Sequence, residues 1–290
     1  MKLMLKFNLV FLLVFLLGLT AAGYVSHDLL QKNAREEILQ NARLLLEASL
    51  STRAYTSGQV GPLLQTQLKY SFLPQSVPSY SATEVLNGLR KKFPEYSYKE
   101  AALNPTNPRD RAVEWESDII GQFRASPERG EIVGERDTPT GRTLYIARPF
   151  QIKDPACLVC HSTVEAAPKT MVDRYGPANG FGWQLNEVIG AQVVVVPTAV
   201  PVERANAAFR TFMASLTAVF VVIGVALNLM LLAMVIRPVT RLSKLADAVS
   251  LGNMEVPDFR VRARDEIGTL ADSFNRMKKS LVQAMKMLEE

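Results

Sequence analysis

Two stretches of this chain carry no charged side chain, Phe7 to Val25 and Thr211 to Ile236. A helix needs about 20 apolar residues to cross a bilayer, and both runs reach that length. They exclude a soluble cytoplasmic protein. After the first run, Ser26 to Leu50 holds neither proline nor glycine. Ile38, Ala42, Leu45 and Ser49 (or Leu46) recur there at three- and four-residue steps among Lys32, Arg35, Glu36, Glu37 and Arg43. This predicts a long helix leaving the membrane, read as a stalk over residues 26–57.

From Gly58 the pattern breaks up. Pro62, Pro74, Pro78, Pro94, Pro105 and Pro108 exclude long helices, and aromatics Tyr70, Phe72, Tyr80, Phe93, Tyr96 and Tyr98 lie between them. Short helices are expected at Ala82 to Phe93 and at Arg109 to Arg124, the latter with Val113, Ile120 and Phe123 on one face. Strands are expected at Glu131 to Gly134, Arg142 to Pro149 and Ala191 to Pro197, with a hairpin loop over Gly134 to Gly141. Short helices beside a few antiparallel strands indicate an α+β domain.

Beyond the second run, Arg237-Pro238 places a proline at the first turn of a new helix. Val239, Leu242, Leu245 and Val249 give its apolar steps. Gly252 to Arg264, with Met254, Val256, Pro257 and Val261, reads as a non-helical connector. Asp265-Glu266-Ile267-Gly268 then opens a helix in which Ile267, Leu270, Phe274, Met277, Leu281, Ala284 and Leu288 follow alternating steps of three and four. That heptad seam favours a coiled-coil bundle.

The net charge of +5 does not point to nucleic acid. Between the apolar runs 21 Lys/Arg face 20 Asp/Glu, and beyond the second run 10 face 8, all interspersed. The excess lies at the membrane flanks: Lys2 and Lys6 before the first run, Arg237, Arg241 and Lys244 after the second. Both flanks are therefore expected in the cytoplasm and the intervening domain outside it. The first run is read as an uncleaved signal-anchor rather than a cleaved leader, because no clean small-x-small site precedes a polar stretch.

The candidate chemistry is concentrated in one place. The only two cysteines stand in Cys157-Leu158-Val159-Cys160-His161, the C-x-x-C-H pattern of covalent c-type haem attachment. The thiols add across the haem vinyl groups and the adjacent imidazole takes the iron as proximal ligand. A thiol redox pair needs no histidine, a zinc site lacks a fourth ligand, and a plain disulfide leaves His161 unexplained. Tyr175, Phe181 and Trp183, among glycines, are candidate pocket walls. Met171 is a candidate distal ligand beside the alternative of an open position. No triad, phosphate loop or hydrolase pattern is present, so an enzyme is not expected.

Two resemblances add to this reading. Arg237-Pro238, the connector, Asp265-Glu266-Ile267-Gly268 and the heptad helix resemble a HAMP domain over residues 237–290. Pro238, Asp265, Glu266 and Gly268 carry that motif, and the resemblance implies a homodimeric four-helix bundle that converts signals. Arg53-Ala54-Tyr55-Thr56, Tyr98 to Pro108, the C-x-x-C-H and Tyr175 to Trp183 resemble the bacterial c-type haem PAS-like sensor family, catalogued as a domain of unknown function. That implies a five-stranded antiparallel PAS-like sheet, one covalent haem c and a redox- or gas-sensing role. The expected organisation is a signal-anchor at 1–25, the stalk, a periplasmic sensor at 58–208, a second span at 211–236 and a cytoplasmic HAMP bundle, in a bacterial inner membrane. No output domain follows Glu290, so the expected partner is a separate signalling protein such as a histidine kinase, unless the receptor is a shortened one. The alternative is a membrane-tethered cytochrome acting in electron transfer.

Overall fold

The structure, a computed structural model, describes residues 3–139, 141–260 and 265–289. Lys2, the connector's Val261 to Arg264 and the side chain of Leu288 lie outside the described residues. The chain divides into two compact units, His27–Ala208 and Met1–Ser26 with Phe209–Glu290.

Within the first unit, four antiparallel strands form one sheet: β1 (Ser97–Ala102), β2 (Ile132–Thr138), β3 (Gly141–Gln151) and β4 (Val188–Pro197), in the order β1-β4-β3-β2. Strand β4 is apolar almost throughout because helices cover both of its faces. Successive strand residues point to opposite sides. Val194 and Val196 thus join Leu144, Ile146 and Tyr98 in one cluster, while Ala191 and Val193 join Ile132 and Ala147 in another. The first cluster is closed by Ile38, Ala42 and Leu46 of helix α1 (Leu3–Tyr55) and by Ala82 and Leu86 of α3 (Pro78–Arg90). The second is closed by Ile119, Ile120 and Phe123 of α4 (Glu114–Ala125). Fully burying a side chain of this size contributes about 1.5–3 kcal/mol, so the paired clusters hold the helices to the sheet.

Several expectations change here. The segment read as a stalk is core over its middle, since Ala42 and Leu46 are completely buried. The implied fifth strand is absent among the described residues, and β1 is a strand that its mixed sequence Ser-Tyr-Lys-Glu-Ala-Ala concealed. The turn at Pro108–Asp110 delays α4 to Glu114, which leaves Val113 49% exposed and off the buried face. Glu116 instead starts that helix, accepting from the Val113 backbone N–H at 2.9 Å and from Lys99 Nζ at 2.6 Å. A short helix, α2 (Gly61–Leu68), follows a π-turn at Thr56–Val60.

In the second unit, both apolar runs are helical and leave large apolar side chains exposed, including Leu13, Leu17, Val222 and Leu229. Each belongs to a helix long and apolar enough to cross a membrane. The second run forms most of α7 (Ala199–Leu231) and ends in a π-turn at Leu232–Ile236. Helix α8 (Arg237–Ser250) has Pro238 in its first turn. Helix α9 (Glu266–Glu289) is capped by Asp265, whose Oδ1 accepts from the backbone N–H groups of Ile267 and Gly268 at 3.0 and 3.1 Å. Val249, Phe259, Ala271 and Phe274 make a small core with Leu242 and Leu245. Asn275 clamps the connector, donating to the Phe259 carbonyl and accepting from its N–H.

Candidate functional site

Asp154 begins the site by accepting from the Ala156 N–H at 2.8 Å, which tightens the chain into a single turn, Pro155–Cys157. The short helix α5 (Leu158–His161) follows directly. Cys157, Cys160 and His161 are thereby held on consecutive helical turns, and all three line one cavity of about 760 Å³. That volume is within the range of small-molecule and cofactor pockets, about 300–1,000 Å³. Phe72, Phe150, Ile152 and Ile189 supply apolar wall.

The histidine is the most constrained group. Its Nδ1 lies 2.7 Å from the Gly180 carbonyl oxygen, which can only accept, so Nδ1 carries the proton and Nε2 keeps its lone pair. Its ring stacks on Trp183 at 4.0 Å and 16°. Burial lowers its pKa and keeps the imidazole neutral. The loop bearing these partners is tied down at four points. Gly182 and Trp183 donate to the carbonyls of Ser162 and His161. Asn104 accepts from the Gly180 N–H and donates to the Phe181 carbonyl, both at 3.2 Å. Gly180 has φ +85°, and a Cβ there would sit 2.0 Å from Thr106 Oγ1, so glycine is required on two counts.

Both cysteines are free thiols with raised pKa values. Burial is the main cause, aided at Cys157 by the Asp154 carboxylate and at Cys160 by Cys157. A nucleophilic or redox-active cysteine shows the opposite, a lowered pKa in an electropositive setting. The described residues contain no group of three His, Cys, Asp or Glu arranged to hold a metal ion. A protonated-nitrogen anchor, a free imidazole lone pair, two neutral thiols and a largely apolar cavity fit a haem group.

Of the other pocket expectations, Tyr175 and Trp183 line the cavity, and so does Met171, which is 3% exposed on α6 (Lys169–Tyr175). Phe181 does not line it: its carbonyl is held by Asn104, and its ring has no place in the wall. The sequence reading missed the polar wall. Arg53 of α1 pairs with Glu100 of β1, which is 3% exposed, and lies over the Phe150 ring at 4.7 Å. Tyr98 donates to Glu100 at 2.6 Å. Burial pushes Asp110 up to about 6, against the pull of Arg109. Arg53 and Glu100 stand inside motifs quoted for resemblance, yet nothing in one dimension marks them as neighbours 47 residues apart.

Such a chain combines an antiparallel-sheet domain holding a cysteine–histidine cavity, two helices long and apolar enough to cross a membrane, and a helical module, the make-up of a membrane sensor receptor. Residues 31–197 match the family model of Tll0287-like proteins, and residues 225–283 match that of the HAMP domain. The first match covers more than half of the 290 residues, and the chain belongs to the Tll0287-like family. The heme sensor protein HssS of Staphylococcus aureus strains JH9 and Newman is 38% identical over 79 residues, 27% of this chain and 17% of the relative. The chain thus spans about a sixth of the length of the curated relatives it matches. The crystal structure of the cyanobacterial heme-protein Tll0287 aligns with a TM-score of 0.44 at 14% identity, covering 56% of this chain and 95% of that one.

Proposed function

We propose that the chain is a membrane-anchored haem c sensor that passes a redox or small-ligand signal through its HAMP domain to a separate signalling partner. The observation that carries this is the shared cavity wall of Cys157, Cys160 and His161, with Nδ1 of the histidine already committed to Gly180. HssS, named as a heme sensor protein, supports the signalling half of the reading. When bound, haem would supply an iron that changes oxidation state and takes small ligands. Cys157 and Cys160 would hold it through thioethers, His161 Nε2 would ligate it, and Met171 is a candidate further ligand. Trp183 and Gly180 orient the imidazole. Arg53, on the helix that also contains the first apolar run, and the buried Glu100 of β1 place a charge pair in the same wall.

In this reading both apolar runs cross a bacterial inner membrane, the sheet domain is periplasmic and the HAMP helices are cytoplasmic. A homodimer completes the four-helix bundle, with Pro238, Asp265, Glu266 and Gly268 shaping its ends. The test is the full chain matured in a host that attaches haem c. Mass spectrometry should find one covalent haem per chain, and replacing both cysteines with serine should abolish peroxidase staining on a denaturing gel. Cysteines introduced at Leu270 or Met277 should then crosslink at rates that differ between oxidised and reduced protein. No covalent haem removes the proposal, and redox-independent crosslinking leaves a tethered cytochrome.

A further inference from the structure

Ion pairs of two kinds tie helix α1 to the sheet. Arg35–Glu135, Arg43–Glu131 and Glu47–Arg148 lie at the surface, each with one partner more than half exposed. None of these residues lines the cavity. Water and salt screen such pairs, so they respond weakly to charge elsewhere. Arg53–Glu100 is of the other kind. Arg53 is mostly buried and Glu100 almost wholly so, and both line the cavity beside Cys157, Cys160 and His161.

The pair is anchored on both sides. Glu100 accepts from Arg53 Nη1 and, at 2.6 Å, from the Tyr98 hydroxyl, which itself accepts from Gln192 of β4 at 3.4 Å. The Arg53 guanidinium lies over the Phe150 ring, and its charge reaches Cys157, drawing that thiol's pKa down against the upward pull of burial. The other charged groups of the cavity are poorer reporters. Arg109 is engaged by Glu84 and Asp110, while Lys69 and Asp154 are exposed. Arg53 also stands in the last turn of α1, just before the π-turn at Thr56–Val60.

We infer that Arg53 and Glu100 set the reduction potential of a haem held in this cavity and pass its change of charge to α1. The inference rests on the haem reading and adds the residues that tune and transmit the signal. Opposite charges on two elements make the contact responsive. Arg53 on α1 is repelled, and Glu100 on β1 attracted, when oxidation adds one positive charge to the cavity. Away from bulk water such a charge acts strongly on both. The coupling is reciprocal: a contact that senses the charge also shifts the equilibrium that changes it. The potential therefore measures how well the pair reads the cavity.

The experiment titrates the full chain, matured with haem and held in detergent, with dithionite and ferricyanide while the haem spectrum is followed. Haem content is measured first, and chains without haem overturn the haem reading and this inference with it. Glu100→Gln keeps the side-chain shape and leaves Arg53, which cannot shed its proton, as an uncompensated cation. A cation favours the reduced form, so the reduction equilibrium should shift upward by about tenfold, 59 mV for one electron. Adding Arg53→Met removes that cation without stranding a carboxylate, and the potential should fall back toward wild type. Arg53→Lys alone keeps the charge and should leave the potential in place. Amide hydrogen exchange over residues 50–60 should differ between oxidised and reduced wild type, and the double variant should lose that difference. With haem present, potentials that stay put or move in any other order overturn the inference, because burial alone would then set them. Exchange that ignores the redox state, or keeps its redox difference without the pair, overturns it equally, since α1 would then not be driven through Arg53.

Discussion

At the residue scale, the candidate site depends on residues outside the cysteine–histidine motif. Gly180 is the sharpest case, because it supplies the acceptor for His161 and lies against Thr106. Gly180→Ala should cost more than about 2 kcal/mol, combining roughly 1–2 kcal/mol of left-handed backbone strain with a clash. Gly182→Ala, at φ +80° with nothing within 4 Å of the added Cβ, should cost only the strain. Thermal unfolding of the two variants side by side checks this. Asp110 makes a second prediction. Its pKa rises from 3.8 to about 6 in the folded chain, so the protonated form is the stabilising one. Its contribution is complete below about pH 4 and is lost as pH rises through 6, amounting to roughly 3 kcal/mol at most. Arg109, Lys99 and Glu100 face it. Asp110→Asn should flatten the fall in unfolding temperature between pH 4 and 7, and an unchanged pH profile would count against this assignment.

At the element scale, α1 serves two solvents. Its first half leaves leucines and valines exposed, while Ile38, Ala42 and Leu46 are buried against the sheet. Leu46→Ala should destabilise the sheet domain by about 2–5 kcal/mol through a cavity. Leu44→Ala, two residues away and 69% exposed, should change stability by no more than about 0.5 kcal/mol. Denaturant unfolding of the full chain in detergent, followed through the intrinsic fluorescence of Trp115 and Trp183, distinguishes them. Helix α9 divides its apolar residues in a similar way. The heptad positions were legible in the sequence, but burial shows that Phe274 serves the intrachain core while Leu270, Met277 and Leu281 are left for another surface.

At the scale of the whole molecule, the proposed arrangement rests on basic residues at the two flanks. Reporter fusions after Ala207 should be active outside the cytoplasm, and fusions after Lys286 inside it. The reverse pattern would strand Cys157 and Cys160 where haem c is not attached. The two units divide the work by chemistry. One encloses a cavity with a neutral imidazole and two neutral thiols, and the other joins apolar helices to a small helical core.

What the sequence determined by itself was whatever local periodicity or a contiguous motif can encode. The two apolar runs, strands β3 and β4, the cap at Asp265 and Cys157-Leu158-Val159-Cys160-His161 all depend on neighbours within a few residues. Tertiary structure decided the rest, because the relevant partners are remote. Strand β1 pairs with β4, about ninety residues away, and no alternation in its own sequence announces it. Arg53 meets Glu100, Asn104 holds Gly180, and Gly180 fixes the tautomer of His161. Phe181 and Val113 carry apolar side chains that the sequence placed inward, yet the backbone around each is fixed by other contacts, at Asn104 and Glu116. A hydrogen bond between distant segments leaves no periodic trace, so only the folded chain shows which polar groups it joins.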